Sequence, residues 1–363
     1  MRIAMFYHSL VSDWNHGNAH FLRGIATELI LRGHVVQVFE PKDSWSRTNL
    51  VSEHGQKPIR MFREAYPQLE STPYDLANFD LKEPLADAEL VIVHEWNDHS
   101  LVSRIGEHRA RNGHYKLLFH DTHHRMVTDR KSMNSYDLSH YDGVLAYGDV
   151  LSALYKSEQR AERVWTWHEA ADTRVFKPVS SRELEGDLVW IGNWGDDERT
   201  KELQEFLIDP VRELGLKARV YGVRYPAEAQ NALANAGIEY AGWLPNFEVP
   251  NIFSKFKVTV HVPRRPYVER LPGIPTIRPF EALACGIPLI CSPWNDSENL
   301  FSPGKDYLLV NNGTEMKAAL KELLSTPTLA GTLSQHGLRT VSKRHTCKHR
   351  VDQLMQIYSE LTS

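Results

Sequence analysis

HVPRRPYVERLPGIPTIRPFEALACGIPLICSP, residues 261–293, decides the fold. It closes a β-rich run (VTVHV, 258–262), crosses an Arg-, Gly- and Pro-rich loop, and enters a helix predicted to begin near Pro279, whose missing N–H is harmless at the first helical position. A second apolar run, IPLIC (287–291), follows. Strand, loop, helix and strand in that order make a parallel βα unit. The amides of Thr276, Ile277 and their neighbours, with the helix dipole behind them, form an anion site suited to a diphosphate. Glu281 is expected in the first turn, where its carboxylate accepts hydrogen bonds from both hydroxyls of a ribose. The competing reading is a glutamate that caps its own helix beside an ordinary loop.

Outward from this segment the same alternation repeats. RIAMFYH (2–8), VVQVF (35–39), LVIVH (90–94), KLLFH (116–120) and GVLAY (143–147) are strand-like, as are LVWIG (188–192), ARVYG (218–222) and YLLV (307–310). Helical spacing marks Phe21, Leu22, Ile25 and Leu29, and the stretches near 199–214, 314–324 and 347–361. The polar run between 173 and 186 reads as a linker. The expected organisation is α/β: a Rossmann-like domain over 1–172, a second over 173–345, and a C-terminal helix, 346–363, packing back towards the first. Ligands of such sheets sit outside the carboxyl ends of the strands, so the two domains are expected to face each other across a cleft.

Composition bounds the rest. A chain of 363 residues with 42% apolar content is long enough for two cores and is neither disordered nor fibrous. No apolar run approaches the ~20 residues of a membrane span, and the N-terminus lacks a signal-peptide core, so a soluble cytoplasmic protein is expected. Cys285, Cys291 and Cys347 have no CxxC spacing, which argues against disulfides and thiolate zinc. Fourteen of the 18 histidines fall in 1–172, where 19 Lys+Arg stand against 24 Asp+Glu; residues 173–363 carry 23 against 22. Neither half has the basic patch of a nucleic-acid binder. No GxGxxG follows a first strand, which disfavours dinucleotide oxidoreductases.

The run RPFEALACGIPLI, followed by SENLFSPGKDYLLVNNGTEMKAALKELL, resembles the donor half of GT-B glycosyltransferases, in particular the retaining group with an EAxACGxPV-like signature. In the same order, HEAADTRVFKP is similar to the interdomain segment GVDxxxFxP of that group, GWLPNFEVPNIFSKFKVTVHVP to the strands bordering the base, and GNAHFLRGIATELILRGHVVQVFEP to its first βα unit. The helix start RPFEALACG also resembles the spore-protein-like branch. One position departs: the acid that group often carries eight residues before the ribose-binding glutamate is Gly273 here.

The resemblance implies a metal-independent, retaining transfer of sugar from a UDP-, GDP- or dTDP-sugar to an acceptor hydroxyl, with no bound cofactor. Glu281 would hold the ribose, and Thr276 and Ile277 the diphosphate. Arg199 and Lys201 occupy the place of a phosphate-binding cation pair, against the simpler reading of helix-surface residues paired to Asp197 or Glu205. Arg264, Arg265 and Arg270 crowd the loop before the phosphate site, and at least one is expected to face the leaving group. Trp243 is expected to border the base, and Gly17 and Asn18 to approach donor and acceptor, unless Asn18 is a plain N-cap.

On the acceptor side, KLLFH ends in His120-Asp121-Thr122-His123-His124, at a strand end where an imidazole is poised for proton handling. His120 and Asp121 are the expected catalytic pair, with His123 and Glu95 contacting the acceptor. A zinc site in HDTHH and purely structural histidines are the alternatives. Other functional readings of the same architecture are a non-hydrolysing sugar-nucleotide epimerase and a non-catalytic nucleotide-sugar binding protein.

Overall fold

The computed structural model describes residues 1–15, 17–180 and 183–363. The chain divides into two compact units, one of residues 1–169 with 347–363 and one of residues 170–346. The first is built on a seven-stranded parallel sheet: β1 (Arg2–Phe6), β2 (Val35–Pro41), β3 (Ser71–Tyr74), β4 (Leu90–His94), β5 (Lys116–Asp121), β6 (Gly143–Ala146) and β7 (Val164–Thr166). The second carries six: β8 (Gly186–Ile191), β9 (Ala218–Tyr221), β10 (Ile238–Tyr240), β11 (Phe256–His261), β12 (Leu289–Cys291) and β13 (Leu308–Leu309).

Strand order is β3-β2-β1-β4-β5-β6-β7 in one sheet and β10-β9-β8-β11-β12-β13 in the other. Every pairing is parallel. Each sheet therefore reverses its winding once, between β1 and β4 and between β8 and β11, and the strand ends beside those reversals are where such folds bind ligands. Central strands such as β4, buried along its whole length, read as unbroken apolar runs because helices cover both faces. The sequence reading missed β3, β7 and β10, all edge strands of three or four residues.

The helix Cys347–Thr362 belongs to the first unit and packs on the helix Asn18–Leu31. Arg32 Nη1 meets Asp352 at 2.7 Å, and Trp167 Nε1 donates to the Arg350 carbonyl at 2.8 Å. Residues 181 and 182, within the expected linker, lie outside the described residues.

Candidate functional site

In the second unit the residues at the reversal point assemble around the helix Ile277–Cys285. It begins two residues earlier than expected, so Pro279 is its third residue and Glu281 its fifth, in the second turn. This corrects the first-turn placement and removes the capping reading, because Glu281 lies beyond the orphan amides it would have to reach. Pro279 is still tolerated, since the first four amides of a helix have no intrahelical acceptor.

Glu281 is 0% exposed in a helix that is buried on nearly every side. A buried carboxylate requires partners, and it has them. Asn246 Nδ2 donates to Oε1 at 2.9 Å, and Arg278 donates to Oε2. Both lie in segments that carry the family resemblance, RPFEALACG and GWLPNFEVP, but neither residue was singled out there. Arg278 was missed in the sequence, although its place three residues before Glu281 on one helical face was the available signal.

Arg199 is not a helix-surface residue. It stands before the turn Thr200–Leu203, half-buried, and its guanidinium donates to the carbonyls of Trp194 (3.2 Å), Val262 (3.0 Å) and Asn193 while lying 5.2 Å over the Trp190 ring. It thus ties the loop after β8 to the loop after β11. Burial, and then the nearby charges of Arg264 and Arg278, lower its pKa to about 9. Three guanidinium groups therefore converge beside the helix start, partly balanced by Glu198, which holds Arg264 at 2.8 Å. Lys201 and Arg270 are exposed, and Trp243 is half-buried in the loop after β10. His261, the last residue of β11, is buried, and its pKa falls to about 3 through burial, Arg199 and Arg278.

Thr276 and Ile277 are at the helix start as expected. Thr276 adopts φ 60°, ψ −178°, a region that residues other than glycine occupy only under strain.

In the first unit the ends of β1, β4 and β5 bring together Tyr7, His94, Glu95, His120 and Asp121. His120 is 1% exposed, its ring edge-on to His94 at 5.4 Å and to Trp167 at 4.8 Å. Its Nδ1 lies 2.6 Å from the Tyr7 hydroxyl. Burial lowers its pKa to about 3, so the expectation of an imidazole poised near neutrality is not met. Asp121 does not orient it. Consecutive strand residues face opposite sides, and Asp121 accepts instead from Tyr155 Oη (2.9 Å) and the His123 amide (3.1 Å).

Glu95, fully buried, sits 3.4 Å from Arg125 Nε; burial and the neighbouring Asp121 raise its pKa well above the carboxylate range. Burial likewise raises Asp121 to about 6. Asn18 is not an N-cap. Gly17 holds the cap position, and Asn18 Nδ2 donates to Thr122 Oγ1 at 2.5 Å, the same oxygen that His94 Nε2 approaches at 2.9 Å. His123, half-buried, packs edge-on against the exposed Trp96 at 5.2 Å. Among the described residues no group of three or more His, Cys, Asp or Glu side chains is placed to hold a metal ion, which leaves the HDTHH zinc reading without a ligand set.

Comparison with known proteins places this architecture. Residues 199–356 match the family model described as "Glycosyl transferase-like". Three solved structures illustrate the likeness of the whole chain. Sucrose-phosphate synthase from Thermosynechococcus elongatus is 16% identical with TM-score 0.69, covering 100% of this chain and 99% of its own. Anabaena HepE in complex with UDP-glucose is 14% identical with TM-score 0.67, covering 99% and 100%. An alpha-glucosyltransferase in complex with UDP and a 13-mer DNA is 14% identical with TM-score 0.69, covering 99% of both chains. The fold is accordingly GT-B, two Rossmann-like units in one chain. None of the curated proteins matches the sequence. Among the described residues no helix is long and apolar enough to cross a membrane.

Proposed function

We propose that the chain transfers a sugar from a nucleoside-diphospho-sugar to an acceptor hydroxyl, with the donor at the strand ends of the second unit and the acceptor at those of the first. The observation that carries the reading is Glu281, a fully buried carboxylate held by Asn246 and Arg278 five residues into a helix whose start is ringed by Arg199, Arg264 and Arg278. In this reading the ribose displaces Arg278 from Oε2, and the released guanidinium turns to the diphosphate, which it fits through paired donors. HepE and the alpha-glucosyltransferase are seen with UDP or UDP-glucose, which supports a uridine nucleotide.

Helix amides and guanidinium groups supply the positive charge that the departing diphosphate needs, so transfer is proposed to proceed without a metal ion. His120, held neutral, donates a hydrogen bond through Nε2 and fixes a hydroxyl in place. Asp121 acts behind it as a positioning residue for the His123 loop. His123 and Glu95 remain the proposed acceptor contacts, and Gly17 and Asn18 are proposed to shape the same loop region. The RPFEALACG helix start supports the spore-protein-like branch and a retaining outcome. Calorimetric titration with UDP, GDP and dTDP and their sugars tests the donor reading. Transfer unaffected by EDTA, with product anomer assigned by NMR, tests the chemistry. A protein that binds no nucleoside diphosphate refutes it.

A further inference from the structure

Along the edge of the first unit, β7 and the helix Cys347–Thr362 border two adjoining open cavities of about 400 and 430 Å³, which share Trp165 and Glu360. β7 is the last strand of its sheet, and Trp165 is its middle residue. The indole is fixed at both ends. Its Nε1 donates to Glu360 Oε2 at 3.1 Å, and its six-membered ring lies so close to Gly143 of β6 that a Cβ there would collide with Cζ3 and stand 3.1 Å from Cη2. The other oxygen of Glu360 accepts from Gln356 Nε2 at 3.2 Å. A half-buried indole held in this way loses little freedom when a ligand arrives, and it lines both cavities.

Around that ring the walls are hydroxyl, amide and carboxylate groups, from Thr166, Asp352, Gln353, Gln356 and Glu360. The aliphatic residues present, Val164 and Ile357, are buried, so the apolar side chains of a peptide would find little to sit against. Lys156 and Arg163 stand against Glu162, Asp352 and Glu360, a mixed field that does not collect a polyanion. The ligand that fits is apolar on one flat side and carries hydroxyls around its rim. The C–H bonds of a pyranose meet the electron-rich indole face, while its hydroxyls donate to carboxylates and accept from amides. From Asp352 to Glu360 the helix rises about 12 Å, longer than a single sugar ring. We infer that this groove binds a neutral oligosaccharide chain, with Trp165 as its stacking platform. Two residues beyond Trp165, Trp167 packs on His120 at 4.8 Å, so the groove lies beside the proposed acceptor region of the same unit. A chain held there raises the local concentration of acceptor ends. That consequence rests on the sugar-transfer reading, whereas the binding itself does not.

Calorimetric titration of the full chain with maltohexaose, cellohexaose, mannohexaose and chitohexaose, and separately with UDP, tests the inference. Wild type is expected to bind at least one of these oligosaccharides, and Trp165→Ala to weaken that binding on the order of tenfold with UDP affinity unchanged. Gln356→Arg, on the exposed face of the helix, fills the groove without touching the core and is expected to give the same loss, even where Trp165→Ala proves unstable. Wild type that binds UDP but none of the oligosaccharides overturns the inference and leaves the donor reading intact. Oligosaccharide binding that Gln356→Arg leaves unchanged also overturns it, since the chain then sits elsewhere. A displayed library of extended peptides retained by wild type and released by both variants, with no oligosaccharide bound, would give the groove to an added β-strand instead. Oligosaccharide binding lost in both variants of a protein that binds no nucleoside diphosphate upholds the groove and refutes the donor reading.

Discussion

The Tyr7 hydroxyl and His120 Nδ1 stand 2.6 Å apart, both side chains buried at the ends of β1 and β5, the two strands that flank β4 in the first unit. Burial drives the phenol pKa far up and the imidazole pKa down to about 3. The phenol keeps its proton, and in the tautomer that carries the ring proton on Nε2 it donates to Nδ1. Nε2 is buried with no hydrogen-bond partner among the described residues. A buried, neutral, unpaired N–H is a costly arrangement that a ligand oxygen would satisfy.

Tyr7→Phe removes the donor that sets this tautomer. Turnover is expected to fall on the order of tenfold, with UDP affinity unchanged and a stability loss of about 1 kcal/mol for the lost hydrogen bond. Steady-state kinetics together with ¹⁵N shifts of the His120 ring check it. A fall in UDP affinity matching the fall in turnover would contradict the assignment, because Tyr7 lies in the first unit.

The buried groups make stability depend on pH in opposing directions. Asp121 titrates near 6 when folded against 3.8 otherwise, so between these values the folded chain holds a proton that the unfolded chain has released. Its contribution is most favourable below about pH 4 and declines as pH rises through 6. His120, lowered to about 3 from 6.5, contributes stability present above 6.5 and lost as pH falls towards 3, by at most ~1.4 kcal/mol per pH unit. Relative to wild type, Asp121→Asn is therefore expected to gain more stability at pH 7.5 than at pH 5. His120→Asn should flatten the acid limb. Urea midpoints from pH 4.5 to 8 test both, and curves parallel to wild type would refute them.

In the second unit, Glu281→Ala is expected to weaken UDP binding at least tenfold, since hydrogen bonds to a charged group contribute about 1.5–3 kcal/mol. Arg278→Ala distinguishes its two roles. If Arg278 moves from Glu281 to the diphosphate, the variant also binds UDP more weakly, whereas a guanidinium that only blocks the carboxylate would leave UDP binding tighter. Calorimetry with UDP alone, and with uridine as a ligand lacking phosphates, resolves the two. The Arg278 effect should vanish for uridine and the Glu281 effect should persist.

Much of this was legible in the sequence, and the exceptions share a cause. Central strands such as LVIVH and KLLFH declare themselves because they are apolar on both faces, whereas β3, β7 and β10 are short edges with mixed residues. Glu281 and Thr276 could be found because they follow a strand and open a helix, a local pattern. Tyr7 and Asn246 act through partners supplied by other elements, which residue spacing does not encode, whereas the Arg278–Glu281 pair is an i,i+3 spacing on one helix that the sequence did offer. The pKa of His120 was misjudged for a related reason: strand-end position suggests access to water, but Tyr7, His94, Phe21 and Trp167 enclose the ring. Arg199 was read as one of a phosphate-binding cation pair, or more simply as a helix-surface cation; that backbone carbonyls take up its guanidinium is invisible to sequence.

Thr276 supplies a last test, of whether strain at the helix start serves binding. At φ 60°, ψ −178° it occupies a region suited to glycine, at a cost of about 1–3 kcal/mol, and it sits where the first free amides point outward. Thr276→Gly relieves that cost, but the added backbone freedom lets the amides at 276 and 277 leave the orientation a diphosphate requires. The variant is expected to melt at a higher temperature and to bind UDP several-fold more weakly. Thermal unfolding and UDP titration on the same preparation check the pair of effects. A variant that is more stable and binds UDP equally well would show that the strained conformation has no part in holding the phosphates.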